Sequence, residues 1–157
     1  MNLLSINTME DYIELGYWGL FLASFLAATV IPLSSEIVLS VLIANGFDFI
    51  FCLLVATLGN WLGGLSSYGL GWLANWKILE RYFGIKQEKV FAIKKYINPW
   101  GSPLAFLCWL PLVGDVFAVA LGFFRVSFPK VSLWMLLGKL IRYTLWGLFT
   151  LWGIRFF

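Results

Sequence analysis

The sequence predicts an all-α integral membrane protein built as an inverted repeat. Each half is a re-entrant helical hairpin followed by a transmembrane helix, and a cytoplasmic amphipathic helical linker joins the halves. Three observations carry this: long stretches almost free of charge, prolines in the middle of two of them, and an echo of one half in the other. Only 12% of the 157 residues are charged and 61% are hydrophobic, against about 25% and 45–50% in a soluble domain. That charge is too sparse to coat a water-facing surface. From Leu15 to Phe47 the only charge is Glu36, Phe49 to Trp76 has none, and Tyr96 to Phe124 has only Asp115. Apolar runs this long are read as membrane-embedded.

The first segment, 15–46, contains Ile31-Pro32-Leu33-Ser34-Ser35-Glu36 at its middle. Proline removes a helical hydrogen bond and clashes with the preceding turn, so Pro32 marks a break. Irregular backbone at membrane depth survives only where protein or a water-filled cavity covers it. The segment therefore enters, breaks and returns on the same side. Segment 47–76 has no proline and spans as one tilted helix. Its small residues Gly59, Gly63, Ser67 and Gly71 recur every four positions, a stripe that permits close helix packing. Asn60 and Tyr68 flank it as candidate cavity-lining groups.

Residues 77–98 hold Lys77, Arg81, Lys86, Lys89, Lys94 and Lys95, and no Lys or Arg precedes them. The positive-inside rule makes this linker cytoplasmic. Ile78, Leu79, Tyr82 and Phe83 share one helical face, and Val90, Ile93 and Ile97 another. The linker thus reads as two short amphipathic helices on the inner leaflet, not as a nucleic-acid patch. Segment 99–124 repeats the broken pattern at Leu110-Pro111-Leu112-Val113-Gly114-Asp115, with Pro111 and Gly114 as its break. Segment 129–157 has no interior proline and spans. All five segments form one membrane domain, multi-pass in the cell's inner (plasma) membrane. No cleavable signal peptide is expected, because the N-terminal stretch lacks a basic region.

The echo lies at an offset of 79 residues. It maps Pro32 onto Pro111, Leu33 onto Leu112, Glu36 onto Asp115, Leu58 onto Leu137 and Gly59 onto Gly138. With the linker inside, one spanning helix runs inward and the other outward, so the halves are inverted and both termini lie outside. This is a plan common in secondary transporters. Glu36 and Asp115 then sit at the hairpin tips near the midplane. Lys139 lies roughly 15 Å into the last helix, with Arg142 on its face. Such charges are tolerated only when paired, hydrated or functional. One reading is a polar cavity where Glu36 or Asp115 takes up a proton or sodium ion, while Lys139 and Arg142 receive an anionic phosphate head group. The other is an ion-pair network that locks the hairpins.

At these residues the sequence resembles the DedA superfamily, also called SNARE-associated or VTT-domain proteins, and within it the short YqaA-like branch. The matching stretches are Pro32 to Glu36, Gly59-Asn60-Trp61-Leu62-Gly63, Trp109 to Asp115, and Gly138-Lys139-Leu140-Ile141-Arg142-Tyr143. The resemblance implies two facing re-entrant hairpins and a role in moving membrane lipids, with proton- or sodium-motive coupling. It also implies that the essential family acids correspond to Glu36 and Asp115. Many family members place an Arg three residues before and three after the second-hairpin proline, where this chain has Cys108 and Gly114. Lys139 and Arg142 are the expected substitutes, and Tyr143 joins the candidate cavity lining.

The expected function is therefore a flippase for a phospholipid or polyprenyl phosphate. A non-transporting membrane-organising or assembly protein is the alternative. An enzyme is not expected. Histidine is absent, which excludes Ser-His-Asp chemistry and His-containing zinc sites. Gly114-Asp115 is similar to part of the Gly-x-Gly-Asp element of intramembrane aspartyl proteases, but Leu112 stands in place of its first glycine. Cys52 and Cys108 have no partner at metal-ligand spacing and read as small buried hydrophobes. No metal or cofactor is expected, and a homo-oligomer is compatible with the sequence.

Overall fold

A computed structural model describes residues 3–29, 34–74, 103–110 and 113–156, and all of their regular structure is helical. In chain order the elements are α1 (Leu3–Ala27), α2 (Ser35–Ala44), α3 (Phe49–Leu73), a 3-10 segment (Ala105–Trp109), α4 (Val113–Phe123) and α5 (Phe128–Phe156). Pro32, Pro111 and the expected amphipathic linker 77–98 lie outside the described residues.

Both expected breaks have structural signatures on their described flanks. After α1, the amide of Thr29 donates to the carbonyl of Leu26 at 3.0 Å and its hydroxyl to the same oxygen at 2.7 Å, closing the last turn. Helix resumes at Ser35, placing Glu36 in the first turn of α2. After the 3-10 segment, Leu110 turns extended (φ −65°, ψ 131°), as the residue before a proline must. Helix resumes at Val113, so Gly114 and Asp115 fall in the first turn of α4, just past the break. An anionic side chain in a first helical turn sits in the favourable field of the exposed amides.

α2 and α4 end in the same C-cap. Gly46, at φ +84°, donates to Ile43 O at 3.1 Å, and Phe47 donates to Leu42 O at 3.1 Å. Arg125, at φ +53°, donates to Gly122 O at 2.9 Å, and Val126 donates to Leu121 O at 3.1 Å. Both are Schellman motifs, and the second occurs 79 positions after the first. A side chain in this left-handed conformation costs roughly 1–2 kcal/mol relative to glycine; the guanidinium of Arg125 lies 5.2 Å above the Trp72 ring, a contact that offsets part of it.

The chain divides into two compact units, one formed by Met1–Gly63 with Lys139–Phe157, the other by Gly64–Gly138. In the first, α1 packs on α2. Gly16 lies against Leu42 and Phe47, so these limbs run antiparallel. Leu20, Leu39, Ile43, Cys52, Ala56 and Tyr143 make up the buried core of this unit. In the second, the 3-10 segment packs on α4, and Ala105, Cys108, Ala118, Leu121, Val131 and Met135 are buried. Cys52 and Cys108 are both buried, as expected of small hydrophobes.

The surface is apolar. Leu54, Leu58, Leu62, Leu70, Leu73, Leu145, Leu148 and Phe149 are all exposed, far more than a water-soluble monomer tolerates in continuous stripes. Among the described residues, α3 alone is both long and apolar enough to cross a bilayer; its 25 residues reach about 37 Å at 1.5 Å per residue. Its small residues let backbones touch. A Cβ on Gly59 would stand 2.5 Å from Phe21 O, and one on Gly63 would collide with Phe25 O. In the second unit, Gly71 of α3 lies against Val119 O while Gly122 of α4 lies against Tyr68 O. The packing reading of the glycine stripe holds at Gly59, Gly63 and Gly71.

Gly63→Ala is expected to destabilise the protein by about 1–3 kcal/mol, because a backbone carbonyl cannot step aside. Gly69→Ala, on the same helix with open space around it, is expected to be neutral or slightly stabilising. Thermal unfolding followed by circular dichroism in detergent micelles checks both.

Candidate functional site

The polar groups of the first unit gather where α2 begins. The chain break frees the first turn of α2, which presents Ser35 and Glu36. Opposite stands α5, whose Lys139, Arg142 and Tyr143 share a face at i, i+3 and i+4. Arg142 and Glu36 form an ion pair, with only 17% and 15% of their side chains exposed. Ser35 and Tyr143, both fully buried, share a hydrogen bond of 2.6 Å between their hydroxyl oxygens. Further along, Ser40 of α2 and Thr150 of α5 are joined at 2.9 Å, and the Trp146 indole donates to Ser40 at 3.0 Å.

Lys139 is 1% exposed and donates to the Asn60 side-chain oxygen. The Asn60 amide nitrogen donates in turn to the carbonyl of Ser24 on α1, at 2.9 Å. This carbonyl is reachable because Gly59 and Gly63 bring α3 against α1. Among the described residues, two buried hydroxyls on α1 and α3, Ser24 Oγ and Thr57 Oγ1, have no hydrogen-bond partner. A buried unsatisfied hydroxyl costs about 1–3 kcal/mol, which makes both candidates for a bound water or ligand atom.

The remaining sequence candidates belong to the second unit. Asp115 is half-buried in the first turn of α4. Gly114 is backed so closely by the Cys108 carbonyl that no Cβ fits there. Tyr68, read from sequence as cavity-lining, is buried and donates its hydroxyl proton to Val126 O at 2.6 Å, tying α3 to the cap of α4. Sequence reasoning assigned no role to Ser24 or Thr57, and read Ser35 only as part of the break at Pro32. The adjacency of Ser35 to Glu36, and Ser24 as the polar residue of an apolar stretch, were the available signals.

The cluster on α2, α3 and α5 thus brings Lys139 and Arg142 together with Glu36 at the start of a helix. Its cations suit an anionic ligand, and its carboxylate can be neutralised by a proton. Among the described residues, no three His, Cys, Asp or Glu side chains gather to hold a metal.

Comparison with known proteins defines the class first. The chain is 34% identical over 132 residues to the inner membrane protein YqaA of Escherichia coli, covering 82% of this chain and 87% of that one. It is 33% identical over 133 residues to an uncharacterized protein of Haemophilus influenzae, covering 79% and 80% respectively. An uncharacterized protein of Methanocaldococcus jannaschii matches at 26% over 139 residues, 88% of this chain and 84% of its own. This is an all-helical membrane protein. It belongs to the YqaA-like branch of the DedA superfamily. No family model matches the chain, and no solved structure does.

Glu36→Gln leaves the Arg142 guanidinium without its counter-charge. A fully buried pair loses about 3–5 kcal/mol on removal of one partner, and partial exposure lowers that figure here. The double variant Glu36→Gln/Arg142→Gln should recover most of the lost stability. Thermal midpoints of the two single variants and the double variant in one detergent give the coupling directly.

Proposed function

We propose that this protein is a multi-pass inner-membrane lipid transporter, a flippase for a phospholipid or polyprenyl phosphate, and not an enzyme. Glu36 and Asp115 bind the coupling proton or sodium ion, and Lys139 and Arg142 bind the anionic head group. The observation that carries the reading is the Glu36–Arg142 pair, seated on the first turn of a helix that restarts after a break. A guanidinium released from its carboxylate when a proton arrives is free to take a phosphate. Charge uptake and lipid binding would then be two sides of one exchange.

The proposed architecture is one membrane domain: re-entrant hairpin, spanning helix, cytoplasmic amphipathic linker, re-entrant hairpin, spanning helix. Several correspondences at the offset of 79 support it. The two Schellman caps agree bond for bond. α3 and α5 start at equivalent positions, Phe49 and Phe128. The contact of Ser40 with Thr150 has its counterpart in that of Val119 with Gly71. Asn60 and Lys139, which hydrogen-bond each other, are themselves 79 apart.

One observation favours the alternative of a membrane-organising protein: the pair is closed, as a structural lock would be. Transport of labelled lipids in reconstituted vesicles, with and without a pH gradient, separates the two. Wild-type protein should move lipid faster than protein-free vesicles. Glu36→Gln and Asp115→Asn should abolish movement while the protein stays folded and inserted. Lys139→Ala and Arg142→Ala should raise the lipid concentration needed. Movement at the protein-free rate, or full activity in Glu36→Gln/Arg142→Gln, would leave the lock. For the topology, a cysteine at Gln87 should label only from the cytoplasm and one at Asp48 only from outside. Labelling of the Asp48 position from inside overturns the inverted repeat.

A further inference from the structure

A groove of about 410 Å³ opens on the flank of the first unit, lined by Glu14, Tyr17, Trp18 and Phe21 of α1 and by Phe51 and Val55 of α3. It shares no residue with the Glu36–Arg142 site. α1 and α3 run parallel here, since Gly59 meets Phe21 and Gly63 meets Phe25. The groove lies on the N-terminal side of that contact, between 14–21 on α1 and 51–55 on α3. Its walls are aromatic: the Tyr17 and Phe51 rings meet edge-on at 4.6 Å, and those of Trp18 and Phe21 at 6.0 Å. Its volume falls within the range of small-molecule sites.

We propose that this groove binds a phospholipid with an ammonium head group. Glu14 is exposed and, among the described residues, is the only charged one lining the groove. A carboxylate beside aromatic faces attracts an ammonium through charge and through the ring quadrupoles, and it repels the phosphate of a purely anionic lipid. Trp and Tyr favour head-group depth in a bilayer, and Trp18 is 63% exposed in an otherwise apolar stretch. Beyond the groove, Leu54, Leu58 and Leu62 continue the Phe51 face of α3 at helical spacing, and all are exposed. That row gives an acyl chain an apolar track leading inward from the head group. The charge complementarity of Glu14 and the continuity of this track decide for a lipid over a second copy of the chain, whose exposed Trp152 and Arg155 are the rival occupant.

Native mass spectrometry of the full-length protein, released from detergent and titrated with dioleoyl-phosphatidylethanolamine or dioleoyl-phosphatidylglycerol, tests this. The wild type should bind the ethanolamine lipid about two- to fivefold more tightly, the range expected for an exposed cation against a ring and a carboxylate. Glu14→Gln should bring the two lipids to parity, and Trp18→Ala should weaken ethanolamine binding by a similar factor. Glu14 is exposed, so its variant should fold as the wild type does. The readout is lipid preference in binding and not transport, so the two proposals fail separately. Equal binding of both lipids by the wild type, or a preference that persists in Glu14→Gln, overturns the groove assignment. A wild-type dimer that Glu14→Gln dissociates, with no lipid preference, would make the groove an interface between copies.

Discussion

A guanidinium and a carboxylate meet in surroundings with little water, and the rest of the first unit follows from holding them there. An ion in hydrocarbon is tolerable only when its counter-charge is delivered with it. Glu36 reaches Arg142 because α2 starts afresh after an interruption, which puts the carboxylate in a first helical turn. Ser35 fixes that turn against α5 through Tyr143. Without the interruption, a continuous helix would carry Glu36 on a regular face with all its amides already engaged. The restart of the helix at Ser35 thus presents a partly buried charge, and the ion pair is what makes that burial tolerable.

Lipid supplies no hydrophobic drive for one helix to choose another, so contact geometry and polar ties must do the selecting. Here they act together. The glycines of α3 let it approach the carbonyls of α1, and that approach puts Ser24 O within reach of the Asn60 amide. Asn60 can then turn its oxygen to Lys139. In the second unit the reciprocal fit of Gly71 and Gly122 accompanies the bond from Tyr68 to Val126 O. In each case a side chain missing from one residue allows a hydrogen bond from its neighbour.

Much of this was legible in the sequence. The described helices α2, α3 and α4 lie inside segments drawn from hydropathy and proline alone, and α5 starts one residue before its segment, because charge and proline act locally and their costs are large. α1 begins at Leu3, upstream of the apolar segment that starts at Leu15. Hydropathy reports what a bilayer accepts, whereas a helix continues past that limit as long as nothing breaks it. The pairings were less legible. Two acids and two bases permit several neutralising arrangements, and composition does not say that Glu36 takes Arg142 while Lys139 turns to an amide. Tyr68 shows the same limit: its place beside the small-residue stripe does not say that the carbonyl it reaches belongs to a helix cap. The unpartnered hydroxyls of Ser24 and Thr57 could be found only from coordinates.

The hydrogen bond between Asn60 and Lys139 bears on how such a chain could have originated. On the repeat proposed above, the two positions are equivalents, one from each half. Had each half been a separate polypeptide pairing with its own twin, both positions would have carried the same residue. Two lysines would repel, and two asparagines would hydrogen-bond but contribute no positive charge. Joining both halves in a single gene removes that identity requirement. It lets one copy become the donor and the other the acceptor, so the two positions can differ as Asn60 and Lys139 do.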